Sequence, residues 1–164
     1  ASLIEPLEYR EDNRIHDFVI AVDTSGSVAG EEVQQFLQKT YDILKSRESF
    51  DNKINIHIIQ CDAEVGRDDK ITDITQLESF LGGMKLVGGG ATDFRPVFDY
   101  VKALQDAREF DDLKGLIYFT DGYGIYPEKK PDFDVIFAFL NNDTARPDPP
   151  AWSTKVIIEE DELG

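Results

Sequence analysis

The sequence is short of several things, and each shortage excludes a class of behaviour. It carries a single cysteine, Cys61, in 164 residues, so no intrachain disulfide can form, which fits a reducing compartment and a cytoplasmic location. Bases are scarce beside acids, 17 against 33, for a formal net charge of −16. Because Lys and Arg contacts to phosphate dominate nucleic-acid affinity, that balance argues against DNA, RNA and anionic membrane surfaces as partners. An acidic field concentrates cations at carboxylate-lined clefts instead. No apolar run approaches the ~18 residues of a membrane span, and the opening residues show no signal-peptide pattern.

Histidine is nearly absent too. His16 and His57 are the only two, with neither a His-Glu-x-x-His nor a Gly-x-Ser-x-Gly in the chain, so zinc-peptidase and serine-triad chemistry both lack their patterns. The glycine-rich "GGMKLVGGGATDF" fails as a phosphate loop: no Gly-Lys-Ser/Thr follows, and Lys85 precedes the glycines it should close. Cys61 neighbours Asp62, whose charge disfavours a thiolate, so a nucleophilic role is not assigned to it. His57 reads as a core or sheet-face residue, and Trp152, among prolines, as a packing anchor for the last strand.

What is present is a core. Hydrophobic residues make up 41% of the chain, with 11 Phe and 6 Tyr, enough for one domain and too short a chain for two. Residues 1–16 are polar and charged and read as a linker or arm, and 17–164 as a single domain; such an opening suggests a piece of a longer protein, with a natural short protein as the alternative. Near-continuous β-branched and aromatic runs at 17–23, 54–62, 115–121 and 134–140 are the pattern of strands buried on both faces of a parallel sheet. Between the first two, Val33, Phe36, Leu37, Tyr41 and Leu44 form one apolar stripe on a helix over 29–47. A short helix is expected over 71–81, capped at Asp73 or Thr75, and a longer one over 92–110, capped at Thr92 or Asp93, with Pro96 in its first turn. Residues 64–71 are a candidate antiparallel edge strand, and 152–164 read as an extra C-terminal strand fraying into an acidic end. The class is α/β, a doubly wound, mostly parallel open sheet flanked by helices, whose ligands belong at the carboxyl ends of strands near the switch in strand order.

Two strands end in aspartate there, in "VDTSG" and "TDGYG". After the first, Asp23, Ser25 and Ser27 alternate, so a turning loop can converge their side chains. Carboxylate and hydroxyl oxygens are hard ligands suited to Mg²⁺ or Mn²⁺, although the same residues also serve as ordinary helix-capping chemistry. "GGGATDF" adds Thr92 at a helix start, and "YFTDGYG" adds Asp121 on the strand expected beside the first.

Together these segments resemble the metal-ion-dependent adhesion site of von Willebrand factor A (VWA) domains: Asp-x-Ser-x-Ser, a distant Thr, then an Asp, with all five positions filled. The resemblance implies a VWA/Rossmann-like fold in which Ser25, Ser27 and Thr92 ligate directly, and Asp23 and Asp121 act mostly through water. It also implies an open position filled by a carboxylate of a partner protein. Asp62 and Asp93 are then candidates to steer metal-bound waters, or simply solvated caps. The wording "GGGATDFRPVF", with "CDAEV" before it and a Trp-containing last strand, is similar to the VWA-like C-terminal domain of bacterial predicted metallopeptidase-like proteins. Those resemble VWA proteins that work beside MoxR-type AAA+ ATPases. On this reading the domain is not an enzyme, and any peptidase site would lie in an upstream region. Two alternatives compete: a Mg²⁺-dependent phosphoryl-transfer enzyme using Asp23 or Asp121 as nucleophile, and a metal-free scaffold. A last segment that is a strand rather than the family's usual helix argues against carrying over helix-piston switching.

Overall fold

The structure, a computed structural model, describes residues 17–25, 30–45 and 54–159. The expected arm at 1–16, Ser27, the ends of the first helix beyond 30–45 and the acidic end at 160–164 lie outside them.

Six strands form one sheet: β1 (Asp17–Asp23), β2 (Asn55–Cys61), β3 (Val65–Ile71), β4 (Leu113–Thr120), β5 (Asp134–Leu140) and β6 (Thr154–Ile158), in the order β3-β2-β1-β4-β5-β6. All neighbours are parallel except β2 and β3, so the candidate edge strand is real and antiparallel. Every residue of β1 is buried, because the sheet is covered on both sides. Phe18, Ile20 and Val22 pack with Val33, Phe36 and Leu37 of α1 (Gly30–Lys45) and with Leu77 and Leu81 of α2 (Ile74–Gly83). Val19 and Ala21 face the opposite layer, with Val97, Phe98 and Val101 of α3 (Arg95–Asp106).

Local chemistry sets the helix ends. Asp73 caps α2 by accepting the Gln76 N–H at 2.9 Å. The next helix starts later than expected: α3 begins at Arg95 and Phe94, before it, makes no side-chain cap bond, while Asp93, an expected cap, accepts the Arg95 N–H at 3.0 Å. It stops by Asp106, where Arg108 takes φ 61° and breaks the helical path.

The connectors 121–133 and 141–153 join parallel strands without a helix. Their aromatics supply the cover that helices would: Tyr126 meets Phe137 at 5.0 Å between ring centroids, Phe133 stacks on Phe98 at 6.4 Å, and Trp152 meets the edge of Phe98 at 6.4 Å. Trp152 is thus a packing anchor, against α3. Among the described residues no helix is long and apolar enough to cross a membrane.

Topology positions the functional end. From β1 the chain crosses through α1 to β2 on one side, and it later returns through α3 to β4 on the other. The carboxyl ends of β1, β2 and β4 therefore flank the switch point, where a crevice opens in this class of sheet.

Candidate metal centre

Three loops meet at that crevice, and backbone hydrogen bonds stitch them together. The loop after β1 is held by the Thr24 N–H donating to the Cys61 carbonyl at 3.0 Å. The glycine-rich loop crosses it: Gly89 N–H donates to the Thr24 carbonyl at 2.7 Å, and Gly90 N–H to Asp62 Oδ2 at 3.1 Å. Gly88 sits against Thr24 at φ 122°, where a Cβ would fall 2.5 Å from Thr24 Oγ1; only glycine allows that approach. The loop after β4 joins through Phe94 N–H to the Ile125 carbonyl at 3.0 Å, and Gly124 packs against Thr92 so closely that a Cβ would lie 2.8 Å from Thr92 Cγ2.

Asp23 lies at the centre, fully buried. Its Oδ1 accepts the Ser25 N–H at 2.8 Å, and its Oδ2 accepts the Thr120 hydroxyl at 2.5 Å. Burial pushes its carboxyl above the ordinary value against these hydrogen bonds, and the charge of nearby Asp121 pushes the same way. Asp121, half-buried at the end of β4, accepts the Tyr123 N–H at 3.1 Å. Its carbonyl accepts from Arg146 Nε at 2.5 Å, whose other nitrogens donate to the carbonyls of Leu140 and Asn141.

Of the residues singled out in the sequence, Asp23, Ser25, Thr92 and Asp121 lie on these converging loops, and Ser27 is outside the described residues. Asp62 and Asp93 stand at the rim. N–H groups of Glu64 and Gly90 hold the Asp62 carboxyl below its ordinary value, and Asp93 N–H donates to the Asp62 carbonyl at 3.1 Å. The Arg95 guanidinium, 2.8 Å away, lowers Asp93.

The donor set fits a hard cation. Among the described residues no three His, Cys, Asp or Glu side chains gather closely enough to hold a metal by themselves, so hydroxyls must complete any ligand set. Asp23 has no ion-pair partner among the described residues, yet it is buried beside a second carboxylate; a divalent cation would offset both the burial and the repulsion. Thiophilic metals do not fit, since burial pushes the adjacent Cys61 thiol up to about 11, with the charges of Asp62, Asp23 and Asp93 adding to it.

Thr120 and Arg146 were missed in the sequence. The signal for Thr120 was a hydroxyl ending an otherwise apolar run, and for Arg146 a lone base in the loop "NNDTARPDPP". His57 lies away from the centre: buried on β2, it bonds Asp68 through Nδ1 at 2.8 Å and Glu109 through Nε2 at 3.3 Å.

Solved structures share this architecture at low identity. Proximal thread matrix protein 1 of the mussel byssus aligns with a TM-score of 0.61 at 16% identity, over 78% of this chain and 38% of that one. An aerotolerance-related membrane protein from Bacteroides fragilis aligns at 0.51 and 14%, over 76% and 67%. The ArnB paralog VWA2 from Sulfolobus acidocaldarius aligns at 0.51 and 16%, over 79% and 35%. This chain thus spans well under half the length of the first of them, and the likeness is one of fold. No curated protein matches the sequence. With the family model covering residues 18–159, the chain belongs to the VWA-like domain family (DUF2201).

Proposed function

We propose that this chain is a divalent-cation-dependent protein-interaction module, in which Asp23, Ser25, Ser27, Thr92 and Asp121 hold Mg²⁺ or Mn²⁺ for a partner's Asp or Glu carboxylate. The observation that carries the reading is the fully buried Asp23 carboxylate, without an ion-pair partner among the described residues, beside Asp121 where three loops converge. A cation with several neutral hydroxyl ligands stays electrophilic enough to take one further anionic oxygen. The chain's own groups do the rest: Ser25 N–H and the Thr120 hydroxyl fix the Asp23 carboxylate, and Arg146 fixes the loop that carries Asp121.

The module binds rather than catalyses. Of the two carboxylates a phosphoryl-transfer enzyme could use, Asp23 is fully buried with both oxygens accepting hydrogen bonds, which weighs against it, and Asp121 is half-buried with one oxygen accepting the Tyr123 N–H. The motif resemblance supports a place in a larger cytoplasmic bacterial protein that works with a MoxR-type AAA+ ATPase.

Calorimetric titration of Mg²⁺ and Mn²⁺, with thermal melting alongside, tests the site in the wild type, Asp23→Ala and Thr92→Ala. Wild type binds and gains about 2.7 kcal/mol at a hundredfold excess over Kd; both variants lose the heat and the gain. A wild type that shows neither heat nor a melting shift ends the proposal.

A further inference from the structure

Beyond Asp121 the 121–133 connector runs beside α3, and between them lies a groove of about 840 Å³. Its wall includes the buried Phe98 and Phe133, and Ile125 is 52% exposed beside it. The Ile125 end of the groove lies next to the candidate centre, since the Ile125 carbonyl accepts from Phe94 N–H and Gly124 packs on Thr92.

Its charge is unlike that of the rest of the chain. Four cations line it in a protein of net charge −16: Arg95, Lys102, Lys129 and Lys130. Asp93 answers Arg95 at 2.8 Å, and Asp106 lies 3.8 Å from Lys102. Among the described residues neither Lys129 nor Lys130 has an ion-pair partner; Lys130 Nζ donates only to the Pro131 carbonyl, at 3.2 Å. Three acids share the wall, Asp99, Glu128 and Asp132, so bases outnumber acids there by four to three in a chain where acids outnumber bases overall; Asp132 accepts from the Gln105 amide at 3.0 Å.

One large exposed apolar side chain, Ile125, lines the groove itself. Among the described residues the large exposed apolar side chains are Leu86, Val87, Tyr123 and Ile125, all on the two loops that bear Thr92 and Asp121. An exposed apolar side chain in a groove lined by bases is a feature of interaction surfaces.

We infer that the groove receives an extended acidic segment of the protein partner, bearing apolar side chains, which runs on from the metal-bound carboxylate and sets a second acid against Lys129 and Lys130. The inference rests on the cation-dependent reading of the centre. It also answers a problem of sign, because a strongly acidic body repels an acidic partner unless local cations meet it. From Arg95 to Gln105 the helix rises about 15 Å, the span of roughly four to five extended residues.

The test uses fluorescence anisotropy with a labelled peptide of about eight alternating Glu and Leu residues, and a Lys–Leu peptide of equal length. With Mg²⁺ the Glu–Leu peptide binds, added salt weakens it, and Lys129→Glu with Lys130→Glu weakens it about tenfold or more; the melting curve checks that this variant stays folded. No Glu–Leu binding, equal binding of the Lys–Leu peptide, or an unchanged lysine variant would overturn the inference. Chelation and Asp23→Ala separate the two readings. If they abolish binding while the lysine variant is unaffected, the groove falls and the metal centre stands; if the lysine variant weakens binding and chelation does nothing, the metal reading falls.

Discussion

Arg146 is the residue on which the geometry around Asp121 depends most, and Arg146→Lys isolates that dependence. The guanidinium donates through Nε to the Asp121 carbonyl at 2.5 Å, through Nη1 to Asn141 at 2.9 Å and through Nη2 to Leu140 at 2.7 Å, and it lies 4.7 Å from the Phe139 ring centroid. Lysine keeps the charge but places its donors on one atom, so it can satisfy one of the three carbonyls well. Hydrogen bonds from charged donors contribute about 1.5–3 kcal/mol each, and the half-buried setting lets water replace part of that, so two lost bonds at the low end cost about 3 kcal/mol. At about 2–4 °C per kcal/mol for a domain of this size, the melting temperature falls by about 6–12 °C. Because one of those carbonyls belongs to Asp121, the proposed Mg²⁺ affinity would fall with it, by about tenfold. Melting and calorimetry of the purified variant read both. A loss below about 1 kcal/mol with unchanged Mg²⁺ affinity would refute the idea that Arg146 holds this loop.

Two further outcomes follow from the same geometry. Burial alone would lower the His57 pKa, but hydrogen bonds and charges from Asp68 and Glu109 outweigh it and hold the group above its ordinary 6.5. A raised folded value means its stabilisation is complete below the unfolded pKa and is lost as pH rises through the folded one. Urea unfolding of the wild type should therefore weaken across that window while His57→Gln does not, and parallel profiles would exclude the ion pairs as the cause. Gly88→Ala puts a Cβ 2.5 Å from Thr24 Oγ1 at φ 122° and should cost about 2–3 kcal/mol. Gly82→Ala, with nothing within 4 Å and a helical position in α2, should instead stabilise by about 0.5–1 kcal/mol; equal effects in denaturant melts would remove the claim that the glycine-rich loop packs on Thr24.

Much of the fold was legible along the chain. The runs at 17–23 and 134–140 coincide with β1 and β5, and the apolar stripe of Val33, Phe36, Leu37 and Tyr41 faces the core of α1 as its spacing predicts. The edge strand at 64–71 was legible more weakly, because only one side of β3 is paired and its "GRDDK" carries no apolar pattern. The start of α3 was read too early, at 92 rather than at Arg95, although Asp93 does serve the helix's first free N–H, that of Arg95.

For the candidate centre the same division holds. The sequence by itself determined which oxygens are available and that Asp23 and Asp121 stand where two apolar runs give way to glycine-bearing turns. That the Asp121 strand lies beside the first, as β4 lies beside β1, was also expected from the sequence; only the tertiary structure decided that Thr120 reaches Asp23 and that Gly89 ties Thr92's loop to Thr24. It alone placed Arg146 on the Asp121 carbonyl and His57 between Asp68 and Glu109. Hydrophobic period records how each segment is buried, and it carries no information on which segments become neighbours; contacts between residues far apart in sequence follow from strand order and loop packing, which form only when the whole sheet closes.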